Sequence, residues 1–223
     1  IAIMGTHLMG FVVSEALFTS AVLAFFISLP FWPFPNAWVA NGVIIIALRL
    51  FGLANERLKT NAHYNTMITI ALTGAGVVPK SEAIARAAGQ LVVAPAILIL
   101  AISTLADTTV ADLGTIPFAI HAPKHHLAGV EAFAVTSLLV AIFDVGLPYV
   151  PEITGAVVAG FLCPGTFGIP VSLNPAFTAL TALLTADMRG SLPSLAGTLL
   201  AGAAYGSLRL RTQMAAPAKS KED

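Results

Sequence analysis

The chain has 223 residues, 57% of them hydrophobic and only 10% charged, with a mean hydropathy of +0.88; soluble domains carry about 25% charged residues. Eleven basic and eleven acidic side chains cancel, which leaves too little charge to coat a water-exposed surface and no basic excess to suit a nucleic-acid partner. An integral membrane protein is expected, and its lone cysteine, Cys163, leaves no internal disulfide and no multi-cysteine metal site to build.

Taken in chain order, six stretches approach the ~20 apolar residues of a spanning helix: 8–29, 37–54, 83–104, 127–147, 150–162 extended toward 168, and 192–208. Between the second and third lies 65–78, and between the fifth and sixth lies 174–188. Both are apolar, compatible with helix and too short to cross. They read as half-helices that enter and leave by one face, a backbone tolerated at membrane depth only where protein buries it or a wet cavity receives it.

The two half-helices belong to a repeat. SEALFTSAVLAFF begins at Ser14 and VEAFAVTSLLVAIF at Val130, so Glu15 and Glu131 open matching apolar runs. Asn65 follows Glu15 by 50 residues, and Asn174 follows Glu131 by 43. The order helix, helix, half-helix, helix is performed twice, with three crossings each time, so the second unit sits inverted on the first. The expected architecture is one all-α membrane domain over 1–210, with repeats at about 1–106 and 121–210, and a polar tail over 211–223.

Charge orients that domain. Arg49, Arg57, Lys59, Lys80 and Arg86 surround the connection 55–82, and Arg209, Arg211, Lys219 and Lys221 follow the sixth stretch; the other side carries Lys124 and Arg189. The basic side is the cytoplasmic equivalent. Connection 144–152 should share it, yet supplies only Asp144 and Glu152.

A helix N-terminus presents unpaired N–H groups and a partial positive charge. If the half-helices enter from opposite faces, those ends meet near the midplane, Asn65 capping one and Asn174 the other, with the amide NH2 groups left for whatever lies between. Pro175 sits at a first helical position, where a missing N–H costs nothing. Such a site suits a neutral polar solute and repels cations.

Here the residues resemble a known family. Ser172-Leu173-Asn174-Pro175-Ala176 resembles the second signature of the aquaporin and glycerol-facilitator family, and Ala62-His63-Tyr64-Asn65-Thr66-Met67 looks like a degenerate copy of the first. Glu15 and Glu131 are similar to the family's loop-bracing glutamates, Gln90 to its third-helix glutamine, and Gly197 and Tyr205 to its sixth-helix pair; the likeness runs over about 8–208. It implies a homotetramer with one pore per subunit, and a loop-packing role for His63. Thr66 and Met67 replace proline and alanine; Met67 is placed where the motifs touch. Phe177 stands where the family has its filter arginine, and counting from the asparagines puts Ile45, Leu162 and Val171 at the other filter positions. All four are apolar, which implies poor selectivity for water and a filter that can dewet.

The remaining signals are bland. Pro123 interrupts HAPKHH, His121 to His126, which reads as a solvated loop rather than a zinc site. No Gly-x-Ser-x-Gly elbow or phosphate-binding loop occurs, and AGTLLAGAAYG suits close helix packing. The function expected is passive permeation of water or a small neutral solute through the bilayer, with no enzyme activity, metal or cofactor. The alternative is the same fold kept as a non-conducting subunit of a larger membrane complex. An ion-coupled transporter is disfavoured, since apart from Glu15 and Glu131 the spans offer few buried ionisable groups to couple to.

Overall fold

The computed structural model describes residues 2–28, 37–105, 124–144, 173–185 and 188–212. Among these, every regular element is helical and no strand occurs. The chain forms α1 (Ala2–Ser28), α2 (Ala37–Arg57), α3 (Thr66–Gly74), α4 (Lys80–Ala88), a π-helical turn (Gly89–Val93), α5 (Ala94–Leu105), α6 (Lys124–Phe143), α7 (Pro175–Thr185) and α8 (Met188–Ala204), which runs into a second π-helical turn (Tyr205–Leu210). Two helical stretches, His7–Ser28 and Lys80–Thr104, are long and apolar enough to cross a bilayer. The expected fifth stretch, 150–162, lies outside the described residues.

Local chemistry explains where several elements bend or stop. Pro95 lacks an N–H and its ring crowds the carbonyl four residues back. The turn just ahead of it is widened, Ala94 N–H bonding Gly89 O, and the helix passes through the proline instead of ending. α3 stops in a Schellman turn: Gly76 adopts φ +82°, its N–H reaches Thr73 O at 3.0 Å, and Val77 N–H reaches Leu72 O at 2.9 Å. α6 begins at Lys124, directly after Pro123, so His125 and His126 belong to its first turn where a loop was expected.

The short helices are shared between the halves. α3 packs on α4, but also on α8 and the turn Tyr205–Leu210; α7 packs on α8, and also on α5 and the turn Gly89–Val93. Two apolar clusters result. One joins Ile44, Met67, Ala71, Val135, Leu139 and Tyr205; the other joins Leu23, Ile27, Ala94, Leu98, Ala176 and Leu180. Beside these apolar clusters, several polar side chains are buried and several large apolar ones face outward. Glu15, Thr19, Gln90, Glu131, Ser194 and Thr198 are fully buried, while Leu17, Val92, Leu100, Phe133, Leu200 and Leu208 lie more than half exposed.

Among the described glycines, Gly206 leaves the least room for a side chain. A β-carbon there would overlap the backbone of Ala71, and one at Gly202 would stand 3.2 Å from Met67 O. Gly42, by contrast, has nothing within 4 Å of such an atom. Gly206→Val should therefore cost about 1–3 kcal/mol or more through overpacking, read as a lowered unfolding midpoint in detergent. Gly42→Ala, inside α2 with open space around it, should instead raise that midpoint slightly, by the equivalent of about 0.5–1 kcal/mol.

Candidate functional site

Asn65 and Asn174 are the start of the site, and each does two things. Asn65 caps α3 from an extended backbone (φ −150°, ψ 119°), its Oδ1 accepting the Met67 N–H at 3.1 Å. Asn174 Oδ1 accepts the Ala176 N–H at 3.0 Å at the head of α7. Each amide then donates across to the other segment. Asn65 Nδ2 bonds Leu173 O at 2.9 Å, and Asn174 Nδ2 bonds Tyr64 O at 3.1 Å. The N-terminal ends of α3 and α7 thus abut through a reciprocal pair of side-chain-to-backbone bonds.

This corrects the expectation that both NH2 groups are left over for a ligand. A primary amide has two N–H donors, and one from each is committed to the opposing carbonyl. The physical reason is that those carbonyls, turned inward, need donors. Tyr64 and Leu173, the residues just before the asparagines, both sit in the left-handed region, at φ 41° and 53°. For residues with a β-carbon that backbone is strained by about 1–3 kcal/mol each, and it persists because the surroundings over-determine it.

The surroundings are two buried carboxylates. Glu15 accepts the His63 N–H at 2.7 Å and the Tyr64 N–H at 2.8 Å; Glu131 accepts the Leu173 N–H at 2.7 Å. Glu15 is completed by Gln90 Nε2 at 2.7 Å and by the Arg86 guanidinium, and Glu131 by the Ser194 hydroxyl at 2.9 Å. The His63 ring nitrogen Nδ1 lies 3.0 Å from Thr69 Oγ1. Asn55, at the end of α2, clamps Ala62 through both its N–H and its C=O at 2.8 Å each.

The other expected site residues fall as follows. Thr66 opens α3 and Pro175 opens α7. The Thr66 hydroxyl is buried with no hydrogen-bond partner among the described residues. Met67 is fully buried against Ile44, Val135 and Tyr205, and its counterpart Ala176 lies in the opposite cluster. Ile45 and Phe177 are half-buried, Phe177 packing on the Leu23–Leu180 cluster. Leu162 and Val171 lie outside the described residues.

Sequence reasoning missed Arg86, Asn55 and Ser194. Arg86 was counted among the charges on the basic side, but it is only 3% exposed and is spent on Glu15 inside the bundle. The signal was present: Glu82, Arg86 and Gln90 repeat every four residues and so share one helix face. Chemically, the assembled site offers helix N-termini, amide N–H donors and backbone carbonyls, all held by carboxylates from neighbouring helices. Among the described residues no group of three His, Cys, Asp or Glu side chains could hold a metal.

No family model matches the chain, and no curated protein matches it.

Two measurements test this geometry. Asn65→Ala and Asn174→Ala should each cost about 1–2 kcal/mol through the lost cap. Because each also removes one of two paired cross-contacts, the double variant should depart from additivity by at least about 0.5 kcal/mol in a detergent unfolding cycle. Separately, the extended conformation of Asn65 is the one a following proline demands, and Thr66 occupies a first helical position. Thr66→Pro should therefore raise stability by about 0.4–1 kcal/mol by the same unfolding measurement.

Proposed function

We propose that this chain is an aquaporin-like channel that lets a small neutral solute cross a membrane down its gradient. In this reading α1, α2, α4–α5, α6, the stretch 150–162 and α8 are six spans, and α3 and α7 are re-entrant half-helices entering from opposite leaflets. The observation that carries it is the reciprocal contact between the Asn65 and Asn174 amides and the backbone of the opposing segment. Two capped helix ends abutting inside an apolar bundle need a reason, and a solute path through their shared positive field is one.

Further features support a membrane setting. Buried carboxylates, hydroxyls and amides inside an outer surface of exposed leucine, valine and phenylalanine suit lipid contact. The end of α6 and the turn after α8 lie together, since Arg209 Nε stands 3.5 Å from Asp144 Oδ1. That supports placing connection 144–152 on the same side as the C-terminus, the basic, cytoplasmic-equivalent side, with Asp144 answering a cation there. The family likeness adds a homotetramer to the proposal, with lipid and a neutral solute as its partners.

The test is stopped-flow flux into vesicles holding the purified chain, for water, glycerol, urea and ammonia. At least one solute should pass faster than into empty vesicles, and Asn174→Leu should cut that increment about tenfold, the equivalent of ~1.4 kcal/mol of lost stabilisation. Phe177→Arg should shift the ranking toward water. Flux at the empty-vesicle level for all four solutes would replace this reading with the non-conducting structural subunit.

A further inference from the structure

Arg86 stands one helical turn after Glu82 and one before Gln90, on the face of α4 that meets α1. Its guanidinium has five N–H donors in a planar fork. One terminal nitrogen serves both Glu15 Oε1 and, at 2.7 Å, the carbonyl of Asn61. Nε and the other terminal nitrogen each lie 2.8 Å from Glu82 Oε1, and Cζ sits 4.4 Å above the ring centroid of Phe11. Glu15 Oε1 is the same oxygen that accepts the His63 N–H. Arg86 therefore grips the segment leading into α3 twice, directly at Asn61 and through Glu15 at His63.

That segment needs gripping. Asn61 and Tyr64 both adopt left-handed backbone, at φ 49° and 41°, and a short stretch with two such residues does not hold its course unaided. A buried ion pair is a poor source of stability compared with well-packed apolar groups, so its presence calls for a geometric explanation. We propose that Arg86 is a positioning residue for the first half of the site: by fixing Asn61 and Glu15 to one rigid fork, it sets the direction in which the Asn65 amide faces α7 and the solute. The mention of a solute rests on the channel reading; the aiming of Asn65 does not. Lysine cannot substitute, because an ammonium lacks the planar fork that meets a carbonyl and two carboxylates while stacking on Phe11.

Hydrogen exchange on the full chain in detergent reads the aiming directly, with Arg86→Lys as the main variant and Arg86→Met as the second. In both, the amides of Ala62, His63 and Tyr64 should exchange at least about tenfold faster, through local opening. Amides in the second half of α6, away from the α3–α7 contact, should change by less than about twofold in the same samples. Should Arg86→Met fail to fold, Arg86→Lys carries the comparison. Unchanged exchange at 62–64, or equal acceleration there and across α7 and the long helices, would overturn the proposal, the second result marking Arg86 as a global stabiliser only. Vesicle flux separates the two readings. Wild-type flux at the empty-vesicle level with selective loosening of 62–64 removes the channel and keeps the positioning role; ordinary wild-type flux with unchanged exchange removes the positioning role alone.

Discussion

Two glutamates each hold the backbone ahead of an asparagine, and each asparagine holds the carbonyl ahead of the other. From Glu15 the chain of bonds runs to Tyr64 N–H, from Tyr64 O to Asn174, and through the α7 cap into the helix; from Glu131 it runs to Leu173 N–H, from Leu173 O to Asn65, and into α3. No link can be removed without leaving a buried donor or acceptor unmatched, which costs more than the bond itself contributes. This mutual dependence explains how Tyr64 and Leu173 remain in a conformation that neither would choose. It also explains why the interior of so apolar a chain contains two carboxylates.

The two braces are built from different materials. On the first side Glu15 meets a guanidinium and an amide, Arg86 and Gln90, spaced one helical turn apart. On the second side Ser194 donates to Glu131, and Thr198, one turn on, donates to the Ser194 carbonyl. Among the described residues the one-turn spacing is kept, while the groups named on the two sides differ. Both glutamates thus accept the backbone N–H ahead of an asparagine, each with its own side-chain donors.

Much of the frame was legible beforehand because it depends on spacing and residue type. A carboxylate opening an apolar run is conspicuous, and Glu15, Glu131, Asn65 and Asn174 could be paired by counting. The short helices were legible from their breakers: Gly76 closes α3 and Pro175 opens α7. Other features left no such trace. Tyr64 and Leu173 carry no glycine to announce their backbone, since tertiary bonds impose it. Met67 is picked out by its position in a motif, and its full burial beside Ile44 and Tyr205 has no signal in the local sequence. Arg86 was misread because a charge near the end of an apolar stretch is usually an anchor at the interface, and only its four-residue spacing from Gln90 argued otherwise. The span read through Pro95 does continue, but the widened turn that lets it do so has no sequence signal of its own.

The sharing of the short helices between halves bears on how the molecule is made. α3 ends at Gly74, but the surface it docks on includes Gly202 and Gly206. Ribosomes add about 5–20 residues per second, so the first half emerges and then waits on the order of ten seconds for its binding face to be synthesised. During that interval Asn65 has no Leu173 carbonyl to receive its amide, and the nascent chain must be sheltered with its short helix undocked. Docking of α3 therefore waits for α8 and the turn that follows it, and the two parts of the chain cannot mature in turn.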